Sequence, residues 1–162
     1  MTPEQAARGY LEAFSRHDLE RALAHWAPGG RQNVRGQVDT DAPDGVREQM
    51  SALLAAVPDF RFEILSATSE GDRCALQWRL RGTFSGAAPL YGVRPTGAAL
   101  ELEGIDLFTV RDGLIQCNDA FSDTIEFTRQ IGMMPARGSA AERLGMALFN
   151  LRSRLRWRRR HG

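Results

Sequence analysis

The stretch "GIDLFTVRDGLIQCND", residues 104–119, decides how this chain folds. Two runs of alternating apolar residues flank Asp112-Gly113, the dipeptide most favourable for a two-residue hairpin turn, because both central positions of that turn need a positive φ. Each run carries one aspartate among its hydrophobic neighbours, Asp106 in the first and Asp119 in the second. If the turn is Asp112-Gly113, Arg111 pairs with Leu114 and Val110 with Ile115. Counting back then sets Phe108 opposite Cys117 and Asp106 opposite Asp119. Leu100, Leu102, Gly104, Asp106, Phe108 and Val110 share a face, and on this count Cys117, Asp119 and Phe121 share it too. The expectation is a pair of neighbouring inward carboxylates. Like charge and burial would keep a proton on one of them near neutral pH, which makes a coupled acid/base pair in an apolar pocket. The plainer alternative for Asp106 is a hydrogen bond to backbone near Gly104 or a pairing with an arginine; for Asp119 it is the lining of a wet cavity.

The same alternation extends upstream. "FRFEILSA" (60–67), "RCALQWRLRGTF" (73–84), "ALELEGIDLFTV" (99–110) and "LIQCNDAFS" (114–122) read as strands separated by turn sequences. Within 73–84, Cys74, Leu76, Trp78, Leu80 and Phe84 face inward, and Arg79 and Arg81 outward. Three helical stretches precede the strands. Thr2, Pro3 and Gln5 form a capping-box start for a helix whose apolar face is Ala6, Tyr10, Leu11 and Phe14. Asp18 begins a second, carrying Leu19, Ala22, Leu23 and Trp26, which "APGG" (27–30) ends. Asp44 caps a third with Val46, Met50, Leu53, Leu54 and Val57 on its stripe, ended by Pro58. Helices followed by an antiparallel meander give an α+β fold with helices packed on one face of a curved sheet.

The chain of 162 residues fits one domain, taken as residues 1–136, followed by a basic tail at 137–162. All 21 basic residues are arginine; eight of them lie in the tail against a single acid, Glu142. Ser139 and Glu142 stand at capping-box spacing, and Leu144, Leu148, Leu151 and Leu155 recur at helical spacing, so the tail reads as a basic amphipathic helix. Packing of its leucines on the domain or on a dimer mate is the first expectation. Binding to a membrane surface or an acidic partner is the second, with nucleic acid the less favoured target. The start lacks a basic-then-apolar leader and no run is long enough to span a bilayer, so a cytoplasmic location is expected. Cys74 and Cys117 are then expected as free thiols. His17, His25 and His161 form no ligand-spaced cluster, and no metal site is expected.

The segments "GVREQMSALLAAVPDFRFEI" (45–64), "GDRCALQWRLRGTFSG" (71–86), "GVRPTG" (92–97), "LEGIDLFTVRDGLI" (102–115) and "RQIGMMP" (129–135), in this order, resemble the SnoaL-like polyketide cyclases. That family shares the cone-shaped fold of nuclear transport factor 2. The resemblance, from about Pro3 to Pro135, implies a pocket inside the cone, a homodimer through the outer sheet face, and cofactor-free chemistry on a polyketide-like small molecule. It matches Asp119 to the general acid/base aspartate, Tyr10 to a pocket tyrosine and Trp78 to a cavity-facing tryptophan. Where many relatives read His-Trp-Asp this chain has Cys117-Asn118-Asp119, and where they read Gly-Thr-His it has Gly82-Thr83-Phe84.

The functional expectation is therefore a cyclase or isomerase with Asp119 as base and Asp106 holding the shared proton. Tyr10, Asn33, Gln49 or Tyr91 would stabilise a substrate oxygen, while Trp26, Trp78, Phe84, Cys117 and Phe121 would complete the substrate-binding wall. Two alternatives stand beside it: a cofactor-independent hydroxylase or epoxide hydrolase using the same pocket, and a non-catalytic ligand-binding or assembly module.

Overall fold

The computed structural model describes residues 1–161, except for the side chains of Leu155 and of residues 158–161. Helix α1 (Pro3–Ser15) opens with the expected capping box: Thr2 Oγ1 accepts from the Gln5 amide at 3.2 Å and Gln5 Oε1 accepts from the Thr2 amide at 2.9 Å. These two bonds satisfy donors that a helix start otherwise leaves unpaired. Its buried face carries Ala6, Tyr10, Leu11 and Phe14. Asp18 caps the short α2 (Leu19–Leu23). Helix α3 (Asp44–Ala56) follows Pro43 with no side-chain cap, so Asp44 lies in the first turn, where its charge suits the helix dipole, and is not the cap.

Four strands match the alternating runs: β3 (Arg61–Glu70), β4 (Arg73–Phe84), β5 (Ala98–Arg111) and β6 (Leu114–Ser122). Two more lie where none was expected, β1 (Trp26–Val34) and β2 (Val38–Ala42). "APGG" therefore does not end a helix containing Trp26. It is an irregular part of β1, with Gly29 at a φ of 74°, and β1 gains three residues there relative to its neighbour, since Trp26 pairs with Ile115 but Arg31 with Cys117. Gly/Pro signals mark turns and strand bulges alike, which is why composition misread this segment.

The sheet order is β2-β1-β6-β5-β4-β3, antiparallel throughout except for the parallel β1–β6 pair. Helices pack on one face of this curved sheet, with α1 lying across β3, β4 and β5. Phe60, Phe84, Phe108, Met50 and Leu76 are fully buried between the layers. Aromatic edges knit them together: Phe14 meets Phe60 at 4.9 Å and Phe62 meets Trp78 at 5.1 Å between ring centres, both near perpendicular. On the outer face Arg79 bonds Glu103 and Arg81 bonds Glu101, so both arginines point away from the helices as expected.

Helix α4 (Thr124–Gln130) follows β6, and α5 (Ala140–His161) forms the tail. Ser139 Oγ accepts from the Glu142 amide, as the spacing required. The leucine stripe, however, does not pack on the domain: Leu144, Leu148 and Leu151 are all more than half exposed. Leu155, the fourth member of that stripe, lies outside the described side chains.

Candidate active site

The Asp112-Gly113 turn forms as read, with φ of 51° and 77°, and sets Arg111 opposite Leu114 and Val110 opposite Ile115. One residue further the register slips. Gln116 is an extra residue in β6, so Thr109 pairs with Cys117, Phe108 with Asn118, Leu107 with Asp119 and Asp106 with Ala120. A one-residue bulge flips every later side chain to the opposite face. Ile115, Asn118 and Ala120 are consequently buried on the inner side, whereas Cys117, Asp119 and Phe121 face outward with Leu107 and Ile105.

The expected pair of inward carboxylates is thus overturned. Asp119 is ion-paired with Arg35 at 2.7 Å on the outer face, and Arg35 also lies over the Phe121 ring at 5.6 Å. Asn33 sits beside Asp119 in the neighbouring strand, on that same outer side. Cys117 shares this face, where partial burial pushes its thiol above the ordinary value.

Asp106 stands as expected on the inner face, 5 % exposed, but its partners are neutral donors. Trp78 Nε1 donates to Oδ1 at 2.8 Å, and Asn118 Nδ2 donates to Oδ2 at 2.8 Å and to Gln32 Oε1 at 3.1 Å. Gly104 makes the first of these bonds possible. It is paired directly with Trp78, and a Cβ there would come within 2.3 Å of indole Cζ2, so only glycine lets the indole lie across β5 to reach the carboxylate two residues on. Burial raises the Asp106 carboxyl to about 6, against the opposing pull of the Trp78 and Asn118 hydrogen bonds, which favour the anion.

Asp106 lines a cavity of about 140 Å³ with Tyr10, Trp78, Gln32, Tyr91, Gln49 and Ala120, while apolar residues of α1, α3 and the sheet supply most of the rest of the wall. Burial first, and the Asp106 charge second, push the Tyr10 phenol well above its ordinary value, so it stays a neutral donor at any physiological pH. Trp26 supports Tyr10 from behind, with ring centres 5.6 Å apart and nearly perpendicular, and does not line the cavity. Phe84 is fully buried core packed on Phe127 and is likewise not part of the wall. Tyr91 stands at the cavity edge, half-exposed. Of the residues singled out in the sequence, Asp106, Tyr10, Trp78, Gln49 and Tyr91 come together, and Asp119, Asn33, Cys117 and Phe121 do not.

Gln32 and Asn118 escaped the sequence reading because β1 was not recognised as a strand and β6 was given the wrong parity. The signal that points to them is the small side chains of Ala120 and Ser122 alternating with Asn118, which suit a face lining a cavity better than the bulky Phe121 does. Among the described residues no group of three His, Cys, Asp or Glu gathers to hold a metal ion.

The model of the SnoaL-like polyketide cyclases matches residues 4–131. The chain belongs to that family. Its architecture is shared by IdmH of Streptomyces antibioticus, a candidate polyketide cyclase. That structure superposes with a TM-score of 0.70 at 27 % identity, over 82 % of this chain and 99 % of the other. AclR of Streptomyces galilaeus, a candidate hydroxylase, superposes at 0.72 with 24 % identity over 83 % and 87 % of the two chains. A SnoaL-like protein of Jannaschia superposes at 0.74 with 20 % identity over 82 % and 93 %. No curated protein sequence matches the chain. The fold implied by the sequence resemblance, helices on a curved sheet in the cone of nuclear transport factor 2, is the fold this family member adopts.

Proposed function

We propose that this protein is an enzyme of small-molecule, polyketide-like metabolism that moves a proton next to a substrate carbonyl, with Asp106 as the general acid/base. The observation that carries the reading is the Asp106 carboxyl itself: buried in an apolar cavity, held on both oxygens by neutral donors, and with a proton affinity near 6. A base with that affinity is mostly ionised at neutral pH yet strong enough to take a proton from carbon when the enolate oxygen is stabilised. Tyr10, the neutral phenol on the same cavity, supplies that hydrogen bond. Removing the proton generates a carbon nucleophile, and the cavity wall holds the substrate so that attack on a second carbonyl closes a ring, the proton held by Asp106 passing to the new alkoxide; delivery of that proton to a different carbon of a conjugated enolate instead gives isomerisation. Asp119, the family-matched aspartate, serves in this reading as a surface ion-pair partner of Arg35. The outer sheet face around Ile105 and Phe121, each about half exposed, is the proposed homodimer surface.

The test is deuterium uptake from heavy water at the carbon next to the carbonyl of bicyclic and tricyclic ketones, followed by NMR. The wild-type protein should accelerate exchange, Asp106→Asn should lower the rate by at least about 100-fold, and Asp119→Asn should retain it. Equal rates for wild type and Asp106→Asn, or exchange no faster than in buffer, would overturn the proposal.

A further inference from the structure

Helix α5 has 22 residues, and its exposed side chains fall into two chemical classes. Leu144, Leu148 and Leu151 form one stripe at helical spacing, all more than half exposed, whereas the exposed Phe149 and Met146 fall on other faces of the helix. Arg152 and Arg154 fall on either side of that stripe, followed by Arg156 and the arginines at 158–160. The helix's single acid is already engaged at its base, where Glu142 accepts from the Gly138 amide at 2.6 Å and from Arg129 at 2.9 Å, both from outside the helix. No acid on the helix therefore offsets the arginines that follow.

An occupant of this surface must take apolar side chains and positive charge together. A second copy of the helix would cover the leucines but, in parallel, would set arginine against arginine and, antiparallel, would leave the six arginines at 152–160 with no free acid to meet. Nucleic acid answers the charge and leaves the leucines in water. A bilayer carrying anionic lipid meets both demands, because acyl chains accept the stripe while arginines flanking it extend to the headgroups. No helix among the described residues is long and apolar enough to cross a membrane, so the contact is along the surface. We infer that α5 is a peripheral membrane anchor for anionic lipid surfaces. The Arg129–Glu142 ion pair ties its base to α4, the helix that also contributes Phe127 to the cavity wall, so docking holds the cavity-bearing domain at the bilayer.

Cosedimentation of the full chain with vesicles tests the inference. Vesicles of phosphatidylcholine with about 30 % phosphatidylglycerol should bind at least about 10-fold more protein than phosphatidylcholine alone. Raising salt from about 0.1 to about 0.5 M should weaken that binding. Arg152→Glu/Arg154→Glu/Arg156→Glu should lower partitioning by roughly five-fold or more per arginine. Leu148→Glu/Leu151→Glu should lower the fraction cosedimenting with anionic vesicles by at least about 10-fold, and both variants should keep the wild-type near-ultraviolet dichroism and melting temperature of the domain. Three results would each refute the anchor: no preference for anionic vesicles, vesicle binding unchanged in the arginine variant, or binding to duplex DNA or an acidic protein in the absence of vesicle binding.

Discussion

Replacing Asp106 with asparagine should remove a pH dependence that its burial imposes on stability. The native carboxyl keeps its proton up to about 6, whereas in the unfolded chain it titrates near 3.8. Between those values the native state binds more protons than the unfolded state, so the stability contributed at this site falls as pH rises through the window, and the loss is complete above about 6. The difference of roughly two pK units corresponds to about 3 kcal/mol, and the 5 % exposure of the residue leaves little solvent to screen it. Asparagine has the same shape and no titration. Its amide must turn one N–H toward either Trp78 Nε1–H or Asn118 Nδ2–H, a donor–donor contact whose cost is independent of pH. Urea denaturation of both proteins from about pH 3.5 to 7.5 separates the two effects, because every other titrating group cancels in the difference. The stability of Asp106→Asn relative to wild type should rise by roughly 2–3 kcal/mol across that range. A relative stability that stays flat within about 0.5 kcal/mol would refute the claim that this carboxyl is ionised at a cost, and with it the physical basis for its role as base.

Three further outcomes follow from the same geometry. Gly104→Ala would drive a methyl into the Trp78 ring and the Phe121 carbonyl, so it should cost about 1–3 kcal/mol in denaturant titrations and lower the exchange activity with it. Asn118→Ala removes a donor that favours the anion, so the Asp106 carboxyl, followed by carbon NMR, should titrate higher than in the wild type. Asp119→Asn should cost less than about 1 kcal/mol, because its bond to Arg35 is a solvent-exposed ion pair; a loss of several kcal/mol would show that the outer face matters more to the fold than its exposure implies.

Much of this protein is written in local sequence. The capping box at Thr2 and Gln5, the period-two alternation of residues 60–84 and 99–115, and the Asp112-Gly113 turn depend on interactions within a few residues, and each forms as read. The inward position of Asp106, Tyr10 and Trp78 follows from the same periodicities. Local pattern failed where two strands had to agree over a distance. Nothing in "LIQCNDAFS" marks Gln116 as surplus, because a strand with a bulge and a strand without one have the same composition. The choice is made by the neighbours, and β6 is gripped on both edges, by β5 and β1, whose registers each shift at the same point. That shift exchanges Asp119 for Asn118 beside Asp106, turning an expected acid pair into one acid held by amide and indole donors. Sequence alone determined helices α1 and α3, strands β3 to β6 and that a carboxyl is buried among apolar side chains. Only the tertiary structure decided which residue faces that carboxyl, because side-chain facing in a strand has a period of two and a single unpaired residue is enough to invert it.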